Sequence, residues 1–327
     1  MIRIGLLGAS RISRGAILTP ARDLEDVIVS SVAARDPDRA SQFAREEGIA
    51  GVEPDYAALV ASSDVDLVYN GLPPSEHARW TIEALKAGKH VLCEKPFAMN
   101  ADEASAMLDA SLVSEGQLIE AFHYRFHPAF QRLLDLVEEG TIGRLQRLEA
   151  YFNVPIAYSP GELRYEPALG GGAMMDLGCY PVHWVRTVMQ EEPRVESASS
   201  VVHQAGVDVR TEADLAFPSG VVAHVHASMA EDLPNGLDDE LRLHGEDGEI
   251  VFQNPLVPNE GHEIVLRNAA GETTEVVPGR TTYHHQLRHV LDVLAGRQLP
   301  ITGGDDSINN MRVLDHIYAH AGRGSDW

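Results

Sequence analysis

The sequence predicts an α/β protein in two parts: an amino-terminal parallel sheet flanked by helices, and a carboxyl-terminal α/β part with a large open, mostly antiparallel sheet. Over the first 120 or so residues, strand-like apolar runs alternate with amphipathic helix-like runs, which is typical of βαβ units. From about residue 145, apolar and polar residues alternate with period two, which is typical of antiparallel strands with one buried face. A length of 327 residues is sufficient for two domains.

The elements of the first part follow one another in regular order. Four helical runs lie between or after its strands: ILTPARDLE, DRASQFAREEG, SEHARWTIEALKAG and NADEASAMLDASLVSEG. The strands are IRIGLLG, VIVSSVAAR, VDLVYNGL and HVLCEKP, and QLIEAFHYRFHP closes the region with a further strand and a polar exit. Asn100 or Asp102 is expected to cap the helix that begins at about 101, and Gly88 and Gly116 stand where helix C-caps belong.

The second part reads as an antiparallel meander that is interrupted by one helix. Its strands are RLQRLEAYFNV, TEADLAF, VVAHVHASMA, DELRLHG, GEIVFQN, HEIVLRN and TTEVVPG. The interrupting helix is predicted at about 174–190, and a final helical stretch at about 282–321. We therefore expect a first domain over residues 1–122 and a second over 123–327, with a last helix that can pack back on the first domain.

The bulk composition excludes several classes of function. A formal charge of −23 and an isoelectric point near 4.9 repel phosphate backbones and anionic lipid, which argues against nucleic-acid and membrane-surface partners. Two cysteines are too few for a disulfide scaffold or a four-cysteine metal site. The amino terminus begins as a strand without a signal-peptide pattern, and no apolar run approaches the ~20 residues that span a bilayer. We expect a soluble, cytoplasmic protein.

The turn after the first strand is a candidate phosphate-binding turn. Against the dinucleotide fingerprint G-x-G-x-x-G, the segment reads Gly8, Ala9, Ser10, Arg11, Ile12 and Ser13, so that only the first glycine is present. Small residues still permit the close backbone approach that pyrophosphate requires, and the helix that follows supplies N–H groups. An ordinary tight turn is the alternative.

The tip of the second strand favours NADP over NAD. An acidic residue there would hydrogen-bond the ribose 2′-hydroxyl of NAD, whereas an arginine accommodates a 2′-phosphate. The sequence VAARDPDRA places Ala34 at the tip, followed by Arg35 and, in the next helix, Arg39. NAD remains possible, because the two arginines could instead be surface residues paired with Asp36 and Asp38.

The stretch KHVLCEKPFAMN carries a glutamate and a lysine directly off the end of a core strand. Charged residues often mark where a strand leaves the core, and Pro96 can simply end it. In open α/β sheets, however, ligands bind outside the carboxyl ends of the strands, so that Lys95 could face a substrate. The segment alone leaves both interpretations open.

Taken in order, Gly8, Arg35 and CEKP resemble the Gfo/Idh/MocA family of oxidoreductases. The resemblance spans essentially the whole chain and includes GLPPSEHARWTIEALKAGKHVLCEKPFAMN, AFHYRFHPAF and GGGAMMDLGCYPVHW. Within the family the chain is most similar to the NADP-dependent branch that contains dimeric dihydrodiol dehydrogenase, D-xylose dehydrogenase and glucose-fructose oxidoreductase. The resemblance implies an amino-terminal Rossmann dinucleotide-binding domain and a carboxyl-terminal substrate-binding α/β domain whose open sheet often forms a dimer interface.

The resemblance also implies site residues. Lys95 is expected to point at the nicotinamide and the reacting carbon, and Tyr124 and Arg125 to border the cleft. The expected cofactor-binding residues are Gly8, Ser10, Arg11, Ile12, Arg35, Arg39, Asn70, Leu72, Pro73, His77, Glu94, Lys95 and Arg125.

Hydride transfer from a secondary alcohol requires a base for the hydroxyl proton. Asp176 and Tyr180 are four residues apart on the predicted helix and so share a face. Tyr180 beside an ammonium such as that of Lys95 could have its pKa lowered, and Asp176 could orient the pair or bind a substrate hydroxyl. In the family this tyrosine position is histidine in inositol-dehydrogenase-like members. His183 is the alternative candidate for the base. Asp176 and Tyr180 could also be a buried hydrogen-bonded pair with no catalytic role.

His123 and His127 have the i, i+4 spacing of a metal pair, but no glutamate completes an H-E-x-x-H motif, and we expect no metal site.

We expect an NAD(P)-dependent oxidoreductase that acts on CH–OH groups of a sugar or cyclic diol with Lys95 and Tyr180 as acid/base pair. The alternatives are an NAD-linked inositol-type dehydrogenase, a nucleotide-recycling lyase and a non-catalytic nucleotide-sensing regulator. The expected partner is a second copy, as a homodimer or homotetramer, through a sheet face that includes Val222 and Val225 or their alternates.

Overall fold

The chain folds into two units in a computed structural model that describes residues 1–231 and 238–323. Unit 1 consists of Met1–His123 and Tyr283–Ile308, and unit 2 of Tyr124–Thr282 and Asn309–Trp327.

Unit 1 is built on a six-stranded sheet in which every neighbouring pair of strands is parallel. Its strands are β1 (Ile2–Leu7), β2 (Val27–Ala33), β3 (Gly51–Val52), β4 (Leu67–Asn70), β5 (His90–Cys93) and β6 (Leu118–Glu120). The order is β3-β2-β1-β4-β5-β6, so the winding direction reverses between β1 and β4. In open α/β sheets a ligand binds at such a reversal, outside the carboxyl ends of the strands.

The helices of unit 1 begin directly after the turn that follows β1. They are α1 (Arg11–Ser13), α2 (Thr19–Arg22), α3 (Pro37–Glu47), α4 (Tyr56–Ala61), α5 (His77–Lys86) and α6 (Ala101–Leu112), with a π-helical segment, Arg14–Leu18, between α1 and α2. The side chains of Leu6 and Leu7, which point to opposite faces of the sheet, are both fully buried, as a parallel sheet covered on both faces requires.

At the helix ends of unit 1, one prediction is confirmed and one was wrong. Asn100 caps α6 by accepting a hydrogen bond from the backbone N–H of Glu103 at 2.9 Å, as expected. Gly116, however, is not a cap, because α6 already ends at Leu112. A Cβ at Gly116 would lie 2.0 Å from the carbonyl oxygen of Lys89, so a close backbone approach requires this glycine. The short β3 and α4 were not predicted.

Unit 2 contains an eight-stranded sheet in which, among the described strands, β7 and β10 pair in parallel and the other neighbours are antiparallel. Its order is β14-β13-β12-β11-β7-β10-β9-β8. The strands are β7 (Leu145–Asn153), β8 (Arg194–Val202), β9 (Asp208–Ala216), β10 (Val222–Ser228), β11 (Asp238–Gly245), β12 (Gly248–Gln253), β13 (Glu263–Asn268) and β14 (Gly271–Glu275). The predicted fold class, a parallel Rossmann sheet followed by a mostly antiparallel one, is confirmed.

Helices cover one face of the second sheet. They are α7 (Pro128–Glu138) and α8 (Cys179–Met189), with a π-helical segment, Met174–Gly178, that leads into α8. The ring of Tyr180 on α8 packs edge-to-face against Phe152 of β7 at 5.7 Å. On β10, Val225 is fully buried, whereas Val222 is 46% exposed. The expectation that both valines belong to one outer face was therefore wrong for Val225, because successive strand residues point to opposite faces.

The final helical stretch consists of two helices rather than one. Helix α9 (Thr282–Leu294) packs Leu287 and Val290 into the same apolar cluster as Ile4 of β1. Helix α10 (Asp305–His320) follows after a turn that contains Gly303 and Gly304, both with positive φ, and the division between the units falls inside α10.

Candidate active site

The turn after β1 requires glycine at its first position. Gly8 has φ +91°, and its backbone N–H donates a hydrogen bond to the carbonyl oxygen of Ala33 at 2.8 Å. A Cβ at Gly8 would also lie 3.2 Å from Cδ2 of Leu72, and a Cβ at Gly71 would lie 3.4 Å from Oγ of Ser10. The loops that follow β1 and β4 therefore lie against each other, as the reversal of strand order dictates.

The next residues begin the helical run. Ser10 stands at the start of α1, and its Oγ lies 2.6 Å from Oγ of Ser13. Arg11 and Ile12 are exposed in the first turn. Small residues thus line the inner side of the turn, and the larger residues face outward.

The first carboxylate after β2 in the sequence, that of Asp36, caps helix α3. Oδ1 of Asp36 accepts hydrogen bonds from the backbone N–H groups of Asp38 and Arg39 at 3.0 and 3.4 Å. Arg39 donates from Nη2 to the carbonyl oxygen of Ala9 at 3.0 Å and so ties α3 to the turn after β1. Arg35 is exposed, and its guanidinium forms no ion pair with the described residues.

Asn70, at the end of β4, is fully buried. Its Nδ2 donates to the carbonyl oxygen of His77 and to Oγ1 of Thr81, both at 3.1 Å. Within residues 1–231 and 238–323, its Oδ1 has no hydrogen-bond partner, and a buried acceptor of this kind ordinarily has one. An orphaned buried acceptor beside a glycine turn at the strand reversal fits a site for a dinucleotide.

His77 connects the loop after β4 to the segment after β5. Its Nε2 lies 2.7 Å from the carbonyl oxygen of Leu72, which Pro73 follows, and its Nδ1 lies 2.9 Å from the carbonyl oxygen of Pro96. Burial lowers the pKa of His77 to about 4, although both carbonyl groups oppose this shift. The neutral ring donates to one carbonyl at a time. It therefore holds two loops rather than transferring a proton.

A buried carboxylate positions the backbone of Lys95. Oε1 of Glu94 accepts a hydrogen bond from the hydroxyl of Tyr69 at 2.8 Å, and Oε2 accepts one from the backbone N–H of Lys95 at 3.2 Å. Glu94 is 7% exposed, and burial together with Glu94 raises the pKa of Tyr69. The Lys95–Pro96 peptide bond is cis. Lys95 is half-buried, at the carboxyl end of β5 where the sequence places it.

His123 lies near the Lys95 ammonium. Burial and, to a smaller extent, the charge of Lys95 lower the pKa of His123 to about 3. Its ring stacks on Tyr283 at a centroid distance of 4.2 Å. A neutral, stacked imidazole has a structural role here, and His127 caps α7 by accepting from the backbone N–H of Ala129 at 3.1 Å. The described residues contain no group of three or more His, Cys, Asp or Glu side chains placed to hold a metal ion.

In unit 2, Asp176 lies in a π-helical segment rather than in a regular α-helix. The expectation that Asp176 and Tyr180 share a face stays a prediction, because residues four apart in a π-helical turn also lie near one another on the helix surface. Oδ2 of Asp176 accepts a hydrogen bond from Nε of Arg164 at 2.5 Å. Nη1 of Arg164 also donates to Oε1 of Glu162 at 3.1 Å.

Tyr180 is 3% exposed and stands in an aromatic cluster. Its ring centroid is 6.1 Å from that of Tyr124 and 6.3 Å from that of Trp184. The rival base, His183, is equally buried, and its Nδ1 lies 2.5 Å from the hydroxyl of Tyr124. Arg125, expected at the cofactor, belongs to unit 2, where its guanidinium lies 5.8 Å from the ring centroid of Phe130.

Sequence reasoning missed three supporting residues: Tyr69, Arg164 and Asp208. A tyrosine inside the apolar strand LVYN is a weak signal for a buried polar contact, and nothing in the sequence marks Arg164. Asp208 begins β9 and contacts Met174 across 34 residues of sequence, so no local pattern identifies it.

Two family models match the chain. The description "Oxidoreductase family, NAD-binding Rossmann fold" matches residues 2–121, and "GFO/IDH/MocA C-terminal domain" matches residues 130–251. The chain is 31% identical to a D-xylose 1-dehydrogenase (NADP(+)) of Haloferax volcanii over 324 residues, which covers 98% of each chain. It is 33% identical to a trans-1,2-dihydrobenzene-1,2-diol dehydrogenase of Xenopus laevis over 236 residues, covering 71% of this chain and 70% of that one. No helix among the described residues has the length and apolar character to cross a bilayer.

Solved structures show the same architecture. KijD10, a 3-ketoreductase from Actinomadura kijaniata in complex with NADP and TDP-benzene, superposes with a TM-score of 0.89 at 26% identity, covering 97% of both chains. Structures of that enzyme also exist with one lysine changed to alanine and with one tyrosine changed to phenylalanine. An aldose-aldose oxidoreductase from Caulobacter crescentus superposes with a TM-score of 0.88 at 25% identity, covering 98% of this chain and 97% of that one. The chain is therefore a member of the Gfo/Idh/MocA family of oxidoreductases, with the NAD-binding Rossmann fold and the C-terminal domain of that family.

Proposed function

We propose that this protein is an NADP-dependent oxidoreductase that transfers hydride between the nicotinamide and a secondary alcohol or hemiacetal carbon of a sugar or cyclic diol. The observation that carries the proposal is the placement of Lys95 by a buried carboxylate. The Glu94 side chain fixes the backbone of Lys95 at 3.2 Å and is itself fixed by the hydroxyl of Tyr69 at 2.8 Å. A cation held at the carboxyl end of β5 lies where an α/β sheet presents catalytic groups.

The chain's own residues bind and position the reactants. Gly8 and the small residues after it admit a pyrophosphate, and Asn70 offers a buried acceptor to the bound group. A bound nicotinamide supplies the hydride acceptor or donor. The ammonium of Lys95 stabilises the negative charge that develops on the substrate oxygen, and it favours the phenolate form of Tyr180.

Tyr180 takes the hydroxyl proton when an alcohol is oxidised and returns it when a carbonyl is reduced. Asp176 is fixed by Arg164 at 2.5 Å and orients the substrate hydroxyl. These assignments give Lys95 and Tyr180 the role of an acid/base pair and Asp176 the role of an orienting acceptor. His183 is ranked second as base, because its Nδ1 is already engaged by Tyr124.

The preference for NADP rests on the tip of β2. Ala34 supplies no carboxylate for a 2′-hydroxyl, and Asp36 is used as the cap of α3. Arg35 is left to bind the 2′-phosphate, with Arg39 beside it in the first turn of α3. The Haloferax xylose dehydrogenase that resembles this chain is named as NADP-dependent.

An NAD-linked inositol-type dehydrogenase and a nucleotide-recycling lyase are the alternatives within the same fold, and Tyr180 in place of histidine disfavours the inositol type. A nucleotide-sensing regulator is disfavoured by the presence of Lys95, Asp176 and Tyr180 together. We place the enzyme in the cytoplasm, and we propose a homodimer or homotetramer as its working form.

The test is a spectrophotometric screen of NADP⁺ reduction with aldoses, inositols and dihydrodiols, with NAD⁺ measured in parallel. We expect NADPH formation with at least one sugar or diol, and its loss in Lys95→Met. An exposed lysine, changed as Lys86→Met, provides the matched control because its ion pair with Glu83 at 3.0 Å lies on the surface of α5. Turnover with NAD⁺ alone, or unchanged turnover in Lys95→Met, would contradict the proposal.

A further inference from the structure

Arg164 has an unused donor edge beside Asp176. Its Nε and Nη1 donate to Asp176 and Glu162, at 2.5 and 3.1 Å. A guanidinium carries five N–H groups, and its Nη2 has no partner among the residues that the structure describes. The Arg164 side chain is 41% exposed, so that this edge is open to a ligand.

The position of Arg164 is fixed by its backbone and by its neighbours. The backbone N–H of Gly172 donates to the carbonyl oxygen of Arg164 at 2.9 Å, and a Cβ at Gly171 would lie 2.7 Å from the same oxygen. The next residue, Tyr165, donates its hydroxyl to the carbonyl oxygen of Ile156 at 2.7 Å. A donor that is held in place loses little conformational entropy when it binds a ligand.

The charge around Arg164 is negative in spite of the guanidinium. Asp176 and Glu162 both pair with it. Glu231 lies close enough to contribute, after burial, to the raised pKa of Tyr165. Two carboxylates thus pair with the Arg164 guanidinium and a third acts on the neighbouring Tyr165, in a chain whose formal charge is −23. A substrate phosphate or diphosphate would be repelled here.

A neutral hydroxyl group fits the same surroundings. A hydroxyl accepts from the Nη2 edge of Arg164 through its lone pairs and donates to a carboxylate such as that of Asp176 through its hydrogen. The ring of Tyr158, half-exposed, packs edge-to-face on Tyr165 at 5.3 Å and against His203 at 5.1 Å. An aromatic surface beside paired donors and acceptors suits a polyhydroxylated ring.

We infer that Arg164 binds substrate directly through its Nη2 edge, and that the site selects neutral polyols over phosphorylated or nucleotide-linked sugars. The inference rests on the function proposed above and names the class of substrate within it. It assigns Arg164 two roles, fixing Asp176 through Nε and binding a substrate hydroxyl oxygen through Nη2.

The first test compares matched neutral and charged sugars on the unmodified enzyme. The probes are D-glucose with D-glucose 6-phosphate and TDP-glucose, and D-ribose with D-ribose 5-phosphate. Turnover is measured with NADP⁺, and binding is measured by calorimetry in the presence of NADPH. We expect each neutral sugar to exceed its charged counterpart in kcat/KM or affinity by at least about tenfold.

The outcomes of this test separate the two proposals. Turnover with a charged sugar that equals or exceeds turnover with the neutral one overturns the inference and leaves the proposed oxidoreductase intact. Binding of neutral sugars without any turnover supports the inference and removes the proposed function for these sugars. If no probe binds, the inference is overturned.

The second test separates direct binding from the positioning of Asp176. In the wild type, a sugar and its analogue that lacks the contacted hydroxyl should differ by about 10- to 100-fold in kcat/KM. In Arg164→Met, the ratio of kcat/KM for the sugar to kcat/KM for this analogue should fall to about 1. The corresponding ratios for analogues that lack other hydroxyls should remain unchanged. A uniform loss with every analogue means that Arg164 only positions Asp176, which overturns the inference.

Two further variants keep this test interpretable. Arg144→Met, at a surface arginine that pairs with Glu246 at 2.6 Å, controls for the loss of one arginine and should keep every ratio. If Arg164→Met does not fold, Arg164→Lys replaces it, because lysine can pair with Asp176 but lacks the second donor edge. Retention of the full hydroxyl preference in Arg164→Lys would contradict the inference.

Discussion

The carboxylate of Asp208 accepts a hydrogen bond from the backbone N–H of Met174 at 2.8 Å. Met174 is the first residue of the π-helical segment that contains Asp176. The same carboxylate accepts from the hydroxyl of Tyr318 at 3.0 Å and from the Arg323 guanidinium at 3.2 Å, and Asp208 itself is fully buried. One buried side chain thus fixes the start of the segment that carries a proposed substrate-orienting residue.

Asp208→Asn should be strongly destabilising, because it removes the buried negative charge that pairs with the Arg323 guanidinium at 3.2 Å. Breaking a buried pair in this way costs about 3 kcal/mol in the free energy of unfolding. Chemical denaturation measures the change. Asp214→Asn is the matched control, since Asp214 pairs with His224 on a side chain that is 61% exposed, and surface pairs contribute little. Equal stability losses in the two variants would show that Asp208 has no special role.

A second aspartate predicts a pH dependence of stability. Burial raises the pKa of Asp239 to about 8, against a weaker opposing hydrogen bond from the backbone of Leu256. Oδ1 of Asp239 is buried without a hydrogen-bond partner in the described part of the chain. The folded chain therefore keeps a proton that the unfolded chain, with an aspartate pKa of about 3.9, releases.

Because the folded state binds more protons at this site, its contribution to stability falls as the pH rises from about 4 toward 8. Asp239→Asn should remove this decline and be the more stable protein at pH 8, with little difference at pH 4. Denaturation at both pH values measures it. The pKa of Asp214 is lowered, chiefly by His224, so Asp214 titrates below this range and Asp214→Asn should leave the decline between pH 4 and 8 in place. If the free energy of unfolding changed with pH in the same way in the wild type and in Asp239→Asn, the assignment would be refuted.

Arg35 is predicted to determine the nucleotide preference. Arg35→Ala should weaken NADPH binding about 10- to 100-fold, as expected for the loss of a charge-assisted contact, and leave NADH binding nearly unchanged. Fluorescence titration with both nucleotides measures the effect. Arg45→Ala, on the exposed side of α3, is the control. Equal affinities of the wild type for the two nucleotides would remove the basis for an NADP enzyme.

The open face of the unit 2 sheet is predicted to associate with a second copy of the chain. Helix α8 packs on the opposite face, and the open face presents Val222 together with His224 and Tyr151. The sheet is open, and α7 and α8 cover only one of its faces. Sedimentation velocity at micromolar concentration should therefore show a dimer or tetramer, and Val222→Glu should weaken it. A monomer under these conditions would be contrary to expectation.

The sequence was sufficient to predict the fold class because its two hydrophobic periods are distinct. The alternation of strands and helices before residue 122 and the period of two after residue 145 correspond to the two observed sheets. Two longer elements were missed: α7, although its apolar residues Phe130, Leu133 and Leu136 recur at helical spacing, and β8, whose residues are mostly polar or exposed. The break between α9 and α10 was missed, although Gly303 and Gly304 mark it.

The candidate site was only partly predictable. Gly8, Asn70 and Lys95 follow strands whose ends meet at one edge, so a parallel sheet brings their loops together from pattern alone. The π-helical segment at Asp176 was not predictable, because the same residues also suit an α-helix. Contacts such as those between Tyr69 and Glu94 or between Asp208 and Met174 join distant parts of the sequence and depend on tertiary packing.

The kinetics of a His183 variant can decide whether Tyr180 or His183 is the catalytic base. His183→Asn should be mild in its effect on kcat, because His183 hydrogen-bonds Tyr124 at 2.5 Å and is assigned no proton transfer. The rate should still rise with pH in this variant as it does in the wild type. If only His183→Asn abolished that rise, the base would be reassigned to His183.

The central claim is that Lys95 and Tyr180 act as one catalytic unit, and the direct measurement is a double-mutant cycle in kcat. Lys95→Met and Tyr180→Phe should each lose about 100- to 1,000-fold in turnover while keeping NADPH binding by fluorescence titration. The double mutant should be little worse than either single variant, because residues that act together are strongly non-additive. Near-normal turnover in Lys95→Met, or losses that multiply in the double mutant, would contradict the account.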